Sequence, residues 1–95
     1  MKKLNDCITE YIEYCEYRKR LDVKTLKSYR IDLKQYSLFC SDLTDYTSRT
    51  TVDHFITQLH KQYKPKSVKR KIASLKAFFH YLEYRELICE NPFAK

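Results

Sequence analysis

The chain has 95 residues, 43% of them hydrophobic and 15% aromatic, and a formal charge of +7. That suffices for one small domain with its own core and is too apolar for a disordered chain, while its short apolar runs exclude a membrane span. The lack of any glycine argues against the Gly-rich loops that cradle phosphates or dinucleotides.

Leu4 to Lys19 sets Leu4, Ile8, Tyr11, Ile12 and Cys15 at helical spacing. Its outer face carries Asp6, Glu10, Glu13 and Glu16, so this helix is expected to turn away from any polyanion. Arg18, Lys19 and Arg20 follow at its C-terminal end, where cations suit the helix dipole. Asp22 predicts the N-cap of a second helix running to about Cys40. Thr25 stands three residues on, and Leu21 and Leu26 hold the positions of a hydrophobic staple. Its core face is Leu26, Tyr29, Leu33, Tyr36 and Cys40. Opposite lie Lys24, Lys27, Ser28, Lys34 and Gln35, interrupted by Ile31 and Leu38.

Ser41 to Arg49 is rich in turn residues and reads as a loop. Thr50 is expected to cap a shorter third helix, with Phe55, Ile56 and Leu59 facing inward and an end near Tyr63. From Lys64 to Tyr84 runs a long amphipathic helix. Val68, Ile72, Leu75, Phe79 and Leu82 form its apolar side, with Phe78 at the edge. The other side carries Lys66, Lys69, Arg70, Lys76 and His80, with Ala73 and Ala77 between them. Its start is open: Pro65 suits the first turn, and Ser67 suits a cap. Beyond Tyr84, the residues RELICENPF read as a short terminal turn closed at Asn91-Pro92, with Phe93 directed into whatever follows.

The charge is unevenly placed. Residues 20–34 carry five Lys/Arg against two Asp/Glu, and residues 64–85 carry seven against one, while the remaining stretches are near neutral. The two basic stretches also begin alike, Lys24-Thr25-Leu26-Lys27 matching Lys66-Ser67-Val68-Lys69. Two helix starts with lysines and hydroxyls would suit the phosphates of a nucleic-acid backbone. Ala73 and Ala77 keep the basic face of the long helix thin enough to approach a duplex closely, and Arg70 is the best candidate for a bidentate contact. A protein-interaction surface and, less favourably, an anionic membrane surface remain open on these residues alone.

No nucleophile, metal-ligand or nucleotide motif is present, so no catalytic site, cofactor or metal is expected. The N-terminal MKKLNDCITEY turns polar too early for a secretory signal. Cys7, Cys15, Cys40 and Cys89 are widely spaced, and reduced thiols in the cytoplasm are expected.

The chain resembles the N-terminal core-binding domain of the tyrosine recombinase (phage integrase) family. The first similar stretch is Asp22-x-x-Thr25-x-x-x-Tyr29-x-x-Asp32-Leu33-x-x-Tyr36. The second is Pro65-x-Ser67-Val68-x-Arg70-x-Ile72-Ala73-Ser74-Leu75-Lys76-x-Phe78-Phe79-x-Tyr81-Leu82, and Ile88-x-x-Asn91-Pro92 closes the pattern. The resemblance implies an all-α, SAM-like bundle of about four helices, in two antiparallel pairs crossing steeply, with a short C-terminal turn or helix. It implies half of a clamp around double-stranded DNA, with the second and fourth helices facing the duplex. Carried over by position, the DNA contacts are Lys24, Thr25, Lys27, Lys66, Ser67, Lys69, Arg70 and Lys76. A catalytic domain is expected downstream and absent from this chain, which would be a monomer alone and part of an oligomer on DNA. The alternative is a stand-alone helical protein-interaction module with a basic surface. Glu86 departs from the pattern, standing where the family often has glycine.

Overall fold

Asp22 caps the second helix as its spacing predicts: its carboxylate accepts the backbone N–H of Thr25 at 2.7 Å. That bond, with Thr25's side chain adding to it, holds the Asp22 carboxyl below the usual carboxylate range. In the computed structural model, which describes residues 2–41 and 43–94, four helices follow one another with no strand among the described residues. They are α1 (Leu4–Glu13), α2 (Val23–Phe39), α3 (Arg49–Gln62) and α4 (Pro65–Tyr84). The expected all-α, SAM-like bundle is the one observed.

Helix α1 is shorter than its periodicity suggests, because Tyr14–Arg18 continues it as a π-helical turn. The wider turn keeps Tyr14 half-buried and Cys15 fully buried. Arg20 then takes a left-handed φ of 54°, and Leu21 donates its N–H to the Cys15 carbonyl at 3.0 Å.

The loop before α3 is tied down by Tyr46. Its hydroxyl donates to the Lys2 carbonyl at 2.6 Å, and its own carbonyl accepts the Tyr36 hydroxyl at 2.6 Å. Asp42 of that predicted loop lies outside the described residues. The cap of α3 is Ser48, whose carbonyl accepts the Val52 N–H at 3.1 Å, so Thr50 falls inside the helix and does not cap it. Asp45 holds the chain just ahead of that cap by accepting both the N–H and the hydroxyl of Thr47. This Asx turn advances the helix start.

Two aromatic groups join the helices. Tyr11 of α1 lies 5.9 Å from Tyr29 of α2, and 5.6 and 5.0 Å from Phe78 and Tyr81 of α4. Tyr36 of α2 meets Phe55 of α3 at 5.0 Å and Phe79 of α4 at 6.1 Å. Phe78, expected at the edge of α4, is therefore fully buried, and Ile72, expected inside, is only half-buried. The buried face of α4 is broad because three helices rest on it: α1, α2 and α3.

Helix α4 opens at Pro65 with Lys64 as the half-in residue, so Ser67 is not its cap. It ends at Arg85, after which Glu86 adopts a left-handed φ of 57°. Past that point Asn91 forms a turn, accepting the Phe93 N–H on its side chain and the Ala94 N–H on its carbonyl, both at 2.9 Å. Phe93 does not point away from the domain. Its ring returns to the core, 6.0 Å from Phe79.

Candidate nucleic-acid interface

Lys24, Lys27 and Lys34 are exposed on α2 together with Ile31 and Leu38, as expected from a helix with a mixed outer face. On α4, Lys66, Lys69, Arg70, Ala73, Lys76 and His80 are exposed, and Ala77 is half-buried. The acidic residues Asp6, Glu10 and Glu13 are exposed on α1, and Glu16 of the π-helical turn pairs with Arg30 of α2 at 3.3 Å. Thr25 and Ser67 are half-buried at the first turns of their helices. Thr25 gives its N–H to Asp22, whereas Ser67 is not needed as a cap.

The two basic helices are joined at mid-length, not at their first turns. The joint is a buried carboxylate. The side chain of Asp32 on α2 is 1% exposed, and its three partners all come from α4. Its Oδ1 accepts from Arg70 Nη2 at 2.8 Å and from Lys71 Nζ at 3.2 Å, while its Oδ2 accepts the Ser74 hydroxyl at 2.7 Å. Residues 70, 71 and 74 project to one side of a helix, which is why a single acceptor can reach all three.

Lys71 is buried with Asp32 and is doubly engaged. It donates to Gln35 Oε1 at 2.7 Å and lies 4.8 Å from the centre of the Tyr63 ring. Gln35 in turn donates to the Tyr63 hydroxyl at 2.7 Å, which fastens the residue that closes α3 to α2. A lysine and a carboxylate can be buried together only if their hydrogen bonds are met. Here no buried side-chain nitrogen or oxygen lacks a partner among the described residues.

Arg70, the candidate for a bidentate contact, is tied to this carboxylate. One nitrogen of its fork is committed to Asp32, and the side chain remains half exposed at 51%. Lys76 is also less free than its position implies, with its ammonium 5.8 Å from the Phe93 ring. The sequence reading passed over Lys71 and assigned Asp32 and Ser74 no role. A signal for Lys71 was available: it stands three residues after Val68 and four before Leu75, on the interior side of the helix.

At the thin part of α4 there is an open depression of about 360 Å³. Its walls include Pro65, Val68, Ile72 and Ala73, with Lys69, Lys76 and His60 of α3 beside them. The recess includes Ala73, one of the two small residues expected to keep the basic face thin.

The chain is similar to known proteins. The phage integrase N-terminal SAM-like domain matches residues 8–86. A tyrosine recombinase of Agathobacter rectalis is 52% identical over the whole of this chain and 31% of its own length. Tyrosine recombinase XerC of Oceanobacillus iheyensis is 32% identical over the whole chain and 33% of its own length. That of Anoxybacillus flavithermus is 28% identical over 99% of the chain and 33% of its own length. The chain belongs to the phage integrase N-terminal SAM-like domain family. It spans about a third of the length of these curated relatives. No solved structure matches it at a significant level.

Proposed function

We propose that this chain is the DNA-binding domain of a site-specific tyrosine recombinase or integrase, holding double-stranded DNA against the basic faces of α2 and α4. The observation that carries this reading is the segregation of charge. Seven Lys/Arg stand against one acidic residue in 64–85, and the exposed lysines of α2 and α4 contrast with the acidic face of α1. Lysines aligned along a helix neutralise successive phosphates and release condensed counterions, which gives sequence-tolerant, salt-sensitive affinity. The family membership supports the same target, since the relatives are named tyrosine recombinases.

In this reading Lys24, Thr25, Lys27, Lys66, Ser67, Lys69, Arg70 and Lys76 contact the backbone. The hydroxyl of Ser67 serves phosphate, because α4 opens at Pro65 and does not use it as a cap. The lysines supply charge and the recess at Ala73 permits close approach. Binding and orienting the duplex is the whole contribution of these residues. Bond cleavage and joining belong to a catalytic domain downstream in the same protein. The isolated domain is a monomer in the cytoplasm, and assembly into oligomers occurs on DNA.

The test is a variant with Lys24, Lys27, Lys66 and Lys69 changed to Ala, which leaves the Asp32–Arg70 pair intact. Fluorescence anisotropy on a labelled duplex over a salt series should show binding lost or sharply weakened. Any residual log–log salt slope should fall by about 0.9 for each lysine that touched phosphate. Unchanged affinity at unchanged helicity refutes the assignment of this face. A helical protein-interaction module with a basic surface would instead bind duplex DNA no better than heparin.

A further inference from the structure

We infer that buried Asp32 is a positioning residue for Arg70, holding its guanidinium as a fixed phosphate fork at the edge of the DNA-binding face. The inference rests on the DNA-binding reading above and goes beyond it by giving one basic residue a different role from the lysines around it.

The argument starts from charge balance inside the joint. Lys71 is buried beside Asp32 and alone neutralises it, and Ser74 occupies the second carboxylate oxygen. Nothing in the stability of the pair requires a second cation. Arg70 nevertheless donates to the same Oδ1 at 2.8 Å, so the cluster of one carboxylate and two cations keeps one net positive charge. That surplus sits on the only member open to solvent, the half-exposed Arg70. A guanidinium has five N–H donors in a planar fork, and one bond to Asp32 leaves the others for an outside acceptor. Exposed lysines such as Lys66 and Lys69 hold charge on flexible stems and lose that freedom on binding. The bond to Asp32 already restrains Arg70. A donor fork fixed in advance binds an oxyanion of matching geometry at lower entropic cost, and it orients the duplex as well as attracting it.

Two substitutions separate positioning from plain electrostatics. Asp32→Asn keeps the shape of the side chain and raises the net charge of the domain by one. Counterion release alone predicts equal or tighter duplex binding for it, whereas positioning predicts a loss of about tenfold, the scale of one charged hydrogen bond. Arg70→Lys keeps the charge and removes the fork, so affinity should fall by about tenfold at an unchanged salt slope. Both are measured below their melting transitions, with side-chain NMR of the Arg70 guanidinium reporting its order. Slow, resolved nitrogen signals in the parent should collapse in Asp32→Asn, a readout that a merely structural role for Asp32 would not tie to DNA affinity. If Asp32→Asn does not fold, Arg70→Lys decides alone, and parental affinity in it overturns the inference. If both variants bind as the parent does while the four-lysine variant has lost binding, positioning is wrong and the DNA face stands. If the four-lysine variant also binds normally, both readings fall.

Discussion

Replacing Glu86 by glycine should stabilise the domain, and the size of the gain can be worked from the end of α4. Arg85 closes the helix at φ −82° and ψ 1°, and Glu86 then turns left-handed at φ 57°. The Glu86 N–H donates to the Glu83 carbonyl at 3.0 Å, and the Leu87 N–H reaches back to the Leu82 carbonyl at 2.9 Å. This pair of bonds is the Schellman closure, in which the left-handed position is normally glycine. A side chain with a Cβ is strained there by about 1–2 kcal/mol. Glycine removes that strain and gives back part of the gain through its greater freedom in the unfolded chain. The net is a stabilisation of about 0.5–1 kcal/mol, or about 3–5 °C for a domain of this size. Glu86→Ala is the control. It removes a carboxylate from the unfavourable end of the helix dipole while keeping the Cβ, so any electrostatic gain appears in both variants. Thermal melts followed at 222 nm and urea midpoints at constant m-value give the comparison. A glycine variant no more stable than the alanine variant would refute the claim that backbone strain at Glu86 limits stability.

Two other outcomes are expected. Asp32→Ala leaves Lys71 buried without its carboxylate and should cost about 3–5 kcal/mol, while the double change Asp32→Leu with Lys71→Met should recover most of it. Additive losses in the double variant would show that the two charges are not coupled. Burial pushes the phenols of Tyr11, Tyr36 and Tyr46 well above their ordinary value of 10. Because the neutral form is the one the fold favours, their contribution is fully present below pH 10 and is lost as pH rises toward the folded-state values. In an alkaline titration at 295 nm, the last three of the nine tyrosines should ionise only together with loss of helix. Complete ionisation before any change in circular dichroism would contradict their burial.

Much of the architecture is local and therefore readable. Helix existence follows from apolar spacing, as in Leu26, Leu33 and Tyr36 of α2. The Asp22 cap is set by residues three apart, whereas the start of α4, open between Pro65 and Ser67 on sequence, is at Pro65. Where neighbouring signals competed, the outcome needed three dimensions. Thr50 is the expected cap, yet α3 starts from Ser48, behind the Asx turn at Asp45 and the anchored Tyr46. Phe93 is expected to point outward because it follows the turn closed at Asn91-Pro92, yet Phe79 and Lys76, more than a dozen residues earlier, hold its ring.

The sequence by itself determined four helices, the cap at Asp22, and the concentration of net positive charge on α2 and α4. Each depends on residues within a few positions of one another. Only the tertiary structure decided what that charge is tied to. The periodicity that points Lys71 inward says nothing of its partner, because Asp32 lies 39 positions away on another helix. Burial strengthens the attraction between such a pair and makes an unmet charge costly, so the contact that joins α2 to α4 is also the one that limits the freedom of Arg70.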